Sequence, residues 1–379
     1  IDTGEYDPVS GQSYFQIGMQ GRSQQKTQQM GSLELQGSQY SLLRLVNSSP
    51  DRVSSEDSVF DGINTSVRGI SRFEPRATEG FAETVNTLQD LLASILIEFD
   101  PIKPSKSIPS LAQAHAQTLR ARTAARNQEA QRLLDEKRIE IEQALIMAAG
   151  IRIDALIDRE TLEPGSTATV AVRAYIPDVS KAQILGAEIQ GPTDWLFTYS
   201  PEDTLTNEAS LRRTDRFDAQ RVFQVTVPSD EKFTQPYWLQ HRRQGSAYEW
   251  SDAEAATLPF AKSILVASVT IDIGGVEISE EREVEYRQLD RVRGEIRRRV
   301  DVVPTVSVEP EANLLVIPKS KATEPINLVL TIRNNSDEAI SGTAQLILPS
   351  EWQLEPALAD FNMAPAPSRA ALSFTVRLP

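Results

Sequence analysis

The pattern of apolar and polar positions changes twice along the chain, near residues 78 and 150. In "TEGFAETVNTLQDLLASILIEF", apolar residues recur at Phe81, Val85, Leu88 and Leu92, which is the spacing of one helix face. The following "DPIKP" interrupts this pattern. A second run, from "SLAQAHAQTL" to "IMAAG", is rich in Ala, Leu, Glu, Gln and Arg and ends at Gly150, a residue type favoured just past a helix end. Residues 78–150 are therefore predicted to form a helical hairpin.

Beyond residue 150 the apolar period becomes two. The stretches "TATVAVRAYI", "RVFQVTV", "ILVASVTIDI", "VEISEEREVEYR" and "INLVLTIRN" alternate apolar and polar residues between turn signals such as "EPGS" and "RNNSDE". This alternation is typical of strands with one buried face. Short strands without intervening helices predict antiparallel β-sandwiches of the Ig-like kind.

An internal repeat divides this β region. "GPTDW" at 191–195 recurs as "LPSEW" at 348–352, and "VFQVTVP" at 222–228 recurs as "LSFTVRLP" at 372–379. Two copies in the same order predict two sandwiches, at 151–303 with an extra loop and hairpin, and at 304–379. Trp195 and Trp352 are expected to pack in the two cores. The second copy has few strands to close its sheet, so we expect it to be truncated at its C-terminus.

The first 77 residues are polar and broken by glycine. A helix is expected from about Gly11 to Met30, with Ser13 capping its first turn. On that helix Gly18 and Gly21 would lie on one stripe with Tyr14 and Gln25, which suggests that another backbone or a ligand approaches closely there. The chain begins "IDTGEYDP" without Met or a charged leader, so we expect that an N-terminal portion is removed or missing.

Charge and composition exclude several classes of function. The formal net charge is −14 and the pI is near 4.8, which argues against a nucleic-acid partner. The one basic run, "RVRGEIRRR" at 291–299, is interpreted as a solvated strand face. The chain has no cysteine, and His115 and His241 are far apart, so no cysteine or histidine-rich metal site is expected. No apolar run is long enough for a membrane span.

An aromatic stretch is the main candidate for binding chemistry. "TQPYWLQHRRQGSAYEW" at 234–250 contains Tyr237, Trp238, Tyr248 and Trp250 and has no counterpart in the second repeat. Such aromatics could stack on sugar rings while Gln, His and Arg bond hydroxyls. The alternative is a loop folded over the sandwich, with its aromatics filling a gap. No GxxxxGK phosphate loop and no GxSxG elbow is present.

The order of motifs along nearly the whole chain resembles one protein family. "DTGEYDPVSGQSYFQIGMQGRSQQKTQQMG" resembles the late catalytic region of large bacterial PIG-L (LmbE-like) deacetylases, which are zinc-dependent and act on N-acetylated sugars. "FDGINTS", "LEPGSTATVAV", "TQPYWL", "YRQLDRVRGEIRRRVDVVP" and "LPSEWQLEP" resemble the accessory region of the same multidomain proteins, with its Ig-like domains.

The resemblance implies an α+β multidomain protein. Residues 1–77 would be the C-terminal edge of an α/β catalytic domain, followed by the helical hairpin and the two Ig-like sandwiches. Arg22, Ser23 and Gln25 would form a wall of the active site, with zinc and the catalytic residues in a part absent from this chain. The sandwiches would position the enzyme or contact carbohydrate, with the protein's own catalytic domain as a further partner. An extracytoplasmic location, periplasmic or secreted, is expected.

Two departures from the family pattern keep other interpretations open. The family's His-Pro-Asp-Asp-Glu metal motif is absent, and Gln25 stands where the family has a histidine. Glutamine cannot take up a proton near neutral pH or readily bind zinc. The alternative is therefore a non-enzymatic extracytoplasmic protein whose sandwiches bind glycan or protein. A third interpretation makes the sandwiches structural spacers.

Overall fold

Two units of different character make up the chain. The computed structural model describes residues 1–44, 64–74, 80–178, 181–200, 217–250, 256, 258, 260–321 and 323–379. The chain divides into Ile1–Arg72 and Phe73–Pro379. The fold is α+β, with most of its regular structure in antiparallel strands. The boundary predicted after residue 77 falls within 75–79, outside the described residues, as do residues 60–63 of "FDGINTS".

The first unit begins with a short hairpin that leads into a helix. Strand β1 (Tyr6–Asp7) pairs antiparallel with β2 (Gln12–Ser13), and helix α1 (Tyr14–Ser23) follows directly. The Ser13 hydroxyl accepts the Gln16 N–H at 3.2 Å, and the Gln16 side-chain oxygen accepts the Ser13 N–H at 3.0 Å. This reciprocal pair is a capping box. The predicted role of Ser13 is confirmed.

Helix α1 is shorter than predicted. It ends at Ser23, and the chain continues into a 3₁₀ turn at Lys26–Gln28. Gln29 follows in the left-handed region, with φ of 54°, a conformation incompatible with a continuing helix. The prediction of a helix to Met30 was wrong, and Gln25 does not lie on the Gly18–Gly21 stripe.

The second unit opens with three helices instead of the two predicted. They are α2 (Phe81–Glu98), α3 (Ile108–Ala124) and α4 (Gln128–Ala149). Helix α3 packs against both others. The extra break lies at residues 125–127, where Asn127 begins α4 by accepting the N–H groups of Glu129 and Ala130 at 2.8 and 3.3 Å. An asparagine cap of this kind starts a new helix.

The strands of the second unit follow the helices. In chain order they are β3 (Arg152–Ile157), β4 (Thr161–Leu162), β5 (Thr167–Tyr175), β6 (Ala182–Gln190), β7 (Leu196–Ser200), β8 (Ala219–Thr226), β9 (Val266–Ile273), β10 (Val276–Glu283), β11 (Glu285–Asp290), β12 (Gly294–Arg299), β13 (Asp301–Val302), β14 (Val306–Pro310), β15 (Ile326–Asn334), β16 (Ile340–Ala344), β17 (Gln353–Glu355), β18 (Ala359–Met363) and β19 (Ser368–Arg377). A four-residue helix, α5 (Tyr237–Gln240), lies between β8 and β9.

The strands before residue 303 form a six-stranded sheet ordered β12-β11-β3-β5-β8-β7 and a three-stranded sheet ordered β10-β9-β6. The two sheets contact each other, since β6 of the smaller sheet contacts β8 of the larger one and β10 contacts β3. The alternating burial of β9, from Ala267 to Ile273, places four apolar side chains in the core. Helix α4 lies against β9.

Two strand pairs are parallel, where the sequence predicted antiparallel pairing. Strand β11 pairs with β3, and β13 pairs with β4. Each pair joins segments distant in sequence, and a long connection permits parallel pairing where a tight hairpin does not.

The strands after residue 303 repeat part of this arrangement. A four-stranded sheet is ordered β14-β15-β19-β17, beside the pair β16–β18. Its β15, β19 and β17 correspond to β5, β8 and β7. The residue after Trp195 pairs with Thr226, two residues before Pro228, and the residue after Trp352 pairs with Arg377, two residues before Pro379. The sequence repeat is therefore also a repeat of strand register.

Candidate functional site

The four predicted aromatic residues form one cluster on the loop around α5. The rings of Tyr237 and Trp250 stack with centroids 3.7 Å apart and planes 17° apart. Trp238 and Tyr248 meet Tyr237 edge-on, at 5.1 and 5.7 Å. Such offset and edge contacts are the favoured geometries of aromatic pairs.

The four rings of the cluster differ in their exposure. Tyr237 and Trp250 are half-buried and hold the loop together. Trp238 and Tyr248 remain 51% and 44% exposed. The stacked pair therefore acts as a support, and the two exposed rings are available to a ligand.

Hydrogen bonds hold this loop at its first residue and at an internal turn. The Thr234 N–H donates to the Val302 carbonyl at 2.9 Å, and the Thr234 hydroxyl accepts the Val302 N–H at 2.9 Å. Gln244 and Ala247 exchange N–H to carbonyl bonds of 3.1 and 3.0 Å around a tight turn. The aromatic rings are thus carried on a loop anchored to β13 and folded back on itself.

A groove of about 780 Å³ reaches the end of α5, the short helix that carries Tyr237 and Trp238. The groove residues are Glu231, Lys232, Phe233, Gln235, Gln240 and His241. Charged and amide groups next to exposed rings suit a ligand with hydroxyls and an apolar face, such as a sugar. His241, the histidine of the aromatic stretch, is exposed and borders the groove.

The predicted active-site wall lies at the end of α1. Arg22 and Gln25 are exposed, and the Ser23 hydroxyl accepts the Ser32 N–H at 3.2 Å. A Cβ placed on Gly18 or Gly21 would meet nothing within 4 Å in the described part of the chain. The close approach expected at these glycines is therefore not made by any described residue.

The two histidines have different surroundings. His115 is buried, and its Nε2 lies 2.9 Å from Glu142 Oε1, so it is a paired core residue. No three of the described Asp, Glu and His side chains are grouped closely enough to hold a metal ion. None of the helices in the described ranges has the length and apolarity to cross a membrane.

The arginine run at 291–299 forms an exposed strand face, as predicted. Arg297 binds the Asp154 carboxylate at 2.8 Å, Arg299 binds Glu283 at 2.9 Å, and Arg298 pairs with Glu160. These arginines are neutralised by acids of the same unit, which leaves little free positive charge along the hairpin.

Neither a family model nor a curated protein matches this chain. A DUF4785 family protein from Legionella pneumophila is 12% identical, with a TM-score of 0.19, over 60% of this chain and 47% of its own. An alpha-2-macroglobulin from Salmonella is 13% identical, with a TM-score of 0.17, over 60% and 14%. An adhesin from Yersinia pseudotuberculosis is 11% identical, with a TM-score of 0.14, over 60% and 51%. The chain thus spans about half the length of these structures or less.

Proposed function

We propose that this chain is the accessory, largely non-catalytic part of a zinc-dependent deacetylase acting on N-acetylated sugars. In this proposal residues 1–77 are the edge of an α/β catalytic domain, the helices α2–α4 follow it, and two Ig-like sandwiches position the enzyme or contact the glycan. The motif order described above supports the family assignment. The zinc would lie outside this chain, together with the catalytic residues, at an extracytoplasmic location.

The aromatic cluster is the observation that carries the glycan-contacting role. Trp238 and Tyr248 are exposed on a loop whose other two rings stack at 3.7 Å. A ring held in place before binding loses little conformational freedom when a sugar stacks on it. The adjacent groove supplies Gln235, Gln240 and His241 for the hydroxyl and acetamido groups.

A binding measurement on the whole chain tests this role. We expect N-acetylglucosamine oligosaccharides to change the tryptophan fluorescence, and Trp238→Ala to abolish binding while leaving the melting temperature unchanged. Trp352→Ala is the matched control, because Trp352 is partly exposed on the second repeat, away from the loop. Equal binding by the Trp238 variant and the wild type would remove the glycan role. If the wild type binds no glycan and Trp238→Ala only lowers the melting temperature, the sandwiches are better interpreted as structural spacers.

The enzymatic part of the proposal needs the full-length parent. We expect that parent, loaded with zinc, to release acetate from N-acetylglucosamine derivatives. A zinc-loaded parent without acetate release would contradict the deacetylase assignment while leaving the glycan measurement valid.

The second candidate is a non-enzymatic glycan- or protein-binding protein. The observation that favours it is Gln25, which occupies the position of a family histidine and lies exposed beyond the end of α1. The coding sequence upstream of Ile1 separates the two candidates. A His-Pro-Asp-Asp-Glu run there supports the enzyme, and a start codon with a signal peptide close by supports the non-enzymatic protein.

A further inference from the structure

A cleft of about 650 Å³ lies where the two repeats of the β region meet. One side is formed by the β3–β4 turn and the β11–β12 hairpin, and the other by the end of β15 and the start of β19. The Arg159 guanidinium crosses the junction and binds Asp337 at 2.5 Å. Residues from both repeats therefore line one polar space.

Two arginines face each other on the second side of this cleft. Arg333 of β15 is the direct cross-strand partner of Arg369 of β19. Directly opposed residues of an antiparallel pair project from the same face of the sheet. On β15 the residues that flank Arg333, Ile332 and Asn334, are buried on the opposite face. Arg333 and its partner Arg369 therefore lie together on the outer face, and both line the cleft.

In the described part of the chain, neither Arg333 nor Arg369 has an ion pair or a hydrogen-bonded carboxylate. The three acids that line the cleft have other partners, since Asp158 and Asp337 pair with Arg159 and Glu160 pairs with Arg298. Like charges placed directly opposite one another destabilise a sheet.

We propose that the cleft binds an oxyanion group, a carboxylate, sulfate or phosphate, held between Arg333 and Arg369. Guanidinium groups match the planar or tetrahedral oxygens of such groups and form strong charge-assisted hydrogen bonds. Tyr286 and Gln288 of β11 lie on the opposite wall and would contact the rest of a larger ligand. The cleft volume is within the range of sites for small ligands. This inference stands independently of the deacetylase and glycan proposals.

Calorimetric titration of the whole chain tests the site. The probes are inorganic phosphate, inorganic sulfate and a trimer of galacturonic acid, with ionic strength held constant by NaCl. We expect saturable binding of at least one probe and a loss of affinity of about tenfold in each of Arg333→Gln and Arg369→Gln. Arg377→Gln is the matched control, because Arg377 lies exposed on the same face of β19 but has Gln353 opposite it.

The melting temperature of each variant shows whether a loss of binding is caused by a loss of folding. Without ligand, Arg333→Gln and Arg369→Gln should melt at or above the wild-type temperature, because each removes a like-charge contact. If phosphate or sulfate binds as tightly as the trimer, the site recognises a free anion. If only the trimer binds, the site recognises an acidic glycan. Either result supports the proposal. Absence of saturable binding for all probes, or equal affinity in the two variants and the Arg377 control, would overturn it.

Discussion

Trp195 and Trp352 close equivalent turns in the two repeats, just before β7 and β17. The N–H of each donates to the carbonyl of the proline three residues earlier, at 3.2 Å for Trp195 and 3.0 Å for Trp352. Their burial differs, because Trp195 is 5% exposed and Trp352 is 37% exposed. The Trp195 indole also donates from Nε1 to Glu231 Oε2 at 2.5 Å. The expectation of core packing is confirmed for Trp195 and wrong for Trp352.

This difference predicts unequal effects of the same substitution. Trp195→Ala should lower the free energy of unfolding by about 3–5 kcal/mol, because it empties a buried site. Trp352→Ala should cost roughly 1 kcal/mol, because less apolar area leaves the solvent there on folding. Urea denaturation of the two variants measures both values. Equal losses would show that Trp352 is covered in solution.

The sequence predicted the broad architecture because its signals were local. The change of apolar period from 3.6 to two placed the helices before residue 150 and the strands after it, and the paired "GPTDW" and "LPSEW" motifs predicted the repeat. Burial of the two tryptophans could not be predicted in the same way. It depends on which other segments cover each turn, and Glu231 bonds only one of them.

The break between α3 and α4 also depends on a contact that local sequence pattern does not show. Asn127 is a recognisable capping residue within a run of helix formers, but the chain contains other asparagines without such a role. What fixes the break is Glu74, whose Oε1 accepts the N–H groups of Arg126 and Asn127 at 2.9 and 2.7 Å. Glu74 is 53 residues away from Asn127, so pattern alone could not pair them.

The aromatic cluster could be predicted from the sequence, whereas the arginine pair of the cleft could not. The sequence identified all four rings of the aromatic cluster, because they lie within one stretch of the chain. Arg333 and Arg369 were missed, since only strand register brings them opposite each other.

Removal of Glu74 or of the Asn127 side chain should weaken this helix junction. Each of Glu74→Ala and Asn127→Ala is expected to lower the free energy of unfolding by about 1 kcal/mol, since each leaves helix-end N–H groups without a protein acceptor. The double variant should lose less than the sum, because both substitutions affect the same turn. A double-mutant cycle by urea denaturation measures the coupling, and strict additivity would contradict it.

Glu163 should make stability depend on pH. Its side chain is buried, and burial raises the pKa of this carboxyl above its usual 4.5. The positive charge of Arg159, 3.7 Å away, acts in the opposite direction, and Asp337 adds to the rise. In the described part of the chain, Oε1 has no hydrogen-bond donor, so the Arg159 charge offsets only part of the effect of burial on the ionised form.

The sign of the effect follows from this raised pKa. The folded state binds the proton more tightly than the unfolded state, so stability falls as pH rises from 4.5 through the folded pKa. Glu163→Gln should therefore have a higher melting temperature than the wild type at neutral pH, and the difference should vanish below the unfolded pKa. Glu309→Gln, on exposed β14, is the control. A pH-independent difference would contradict the assignment.

Alanine substitutions at Gly150 and Gly80 compare the cost of a left-handed backbone with and without a nearby side-chain contact. Both are in the left-handed region, with φ of 68° and 78°, at the end of α4 and the start of α2. A Cβ on Gly150 would lie 3.2 Å from Pro177 Cγ, whereas one on Gly80 would meet no described atom within 4 Å. Alanine at either position costs roughly 1 kcal/mol for the conformation alone. Gly150→Ala should cost about 1 kcal/mol more, because the proline ring must move. Urea denaturation of both variants measures this difference, and equal losses would show that Pro177 yields without cost.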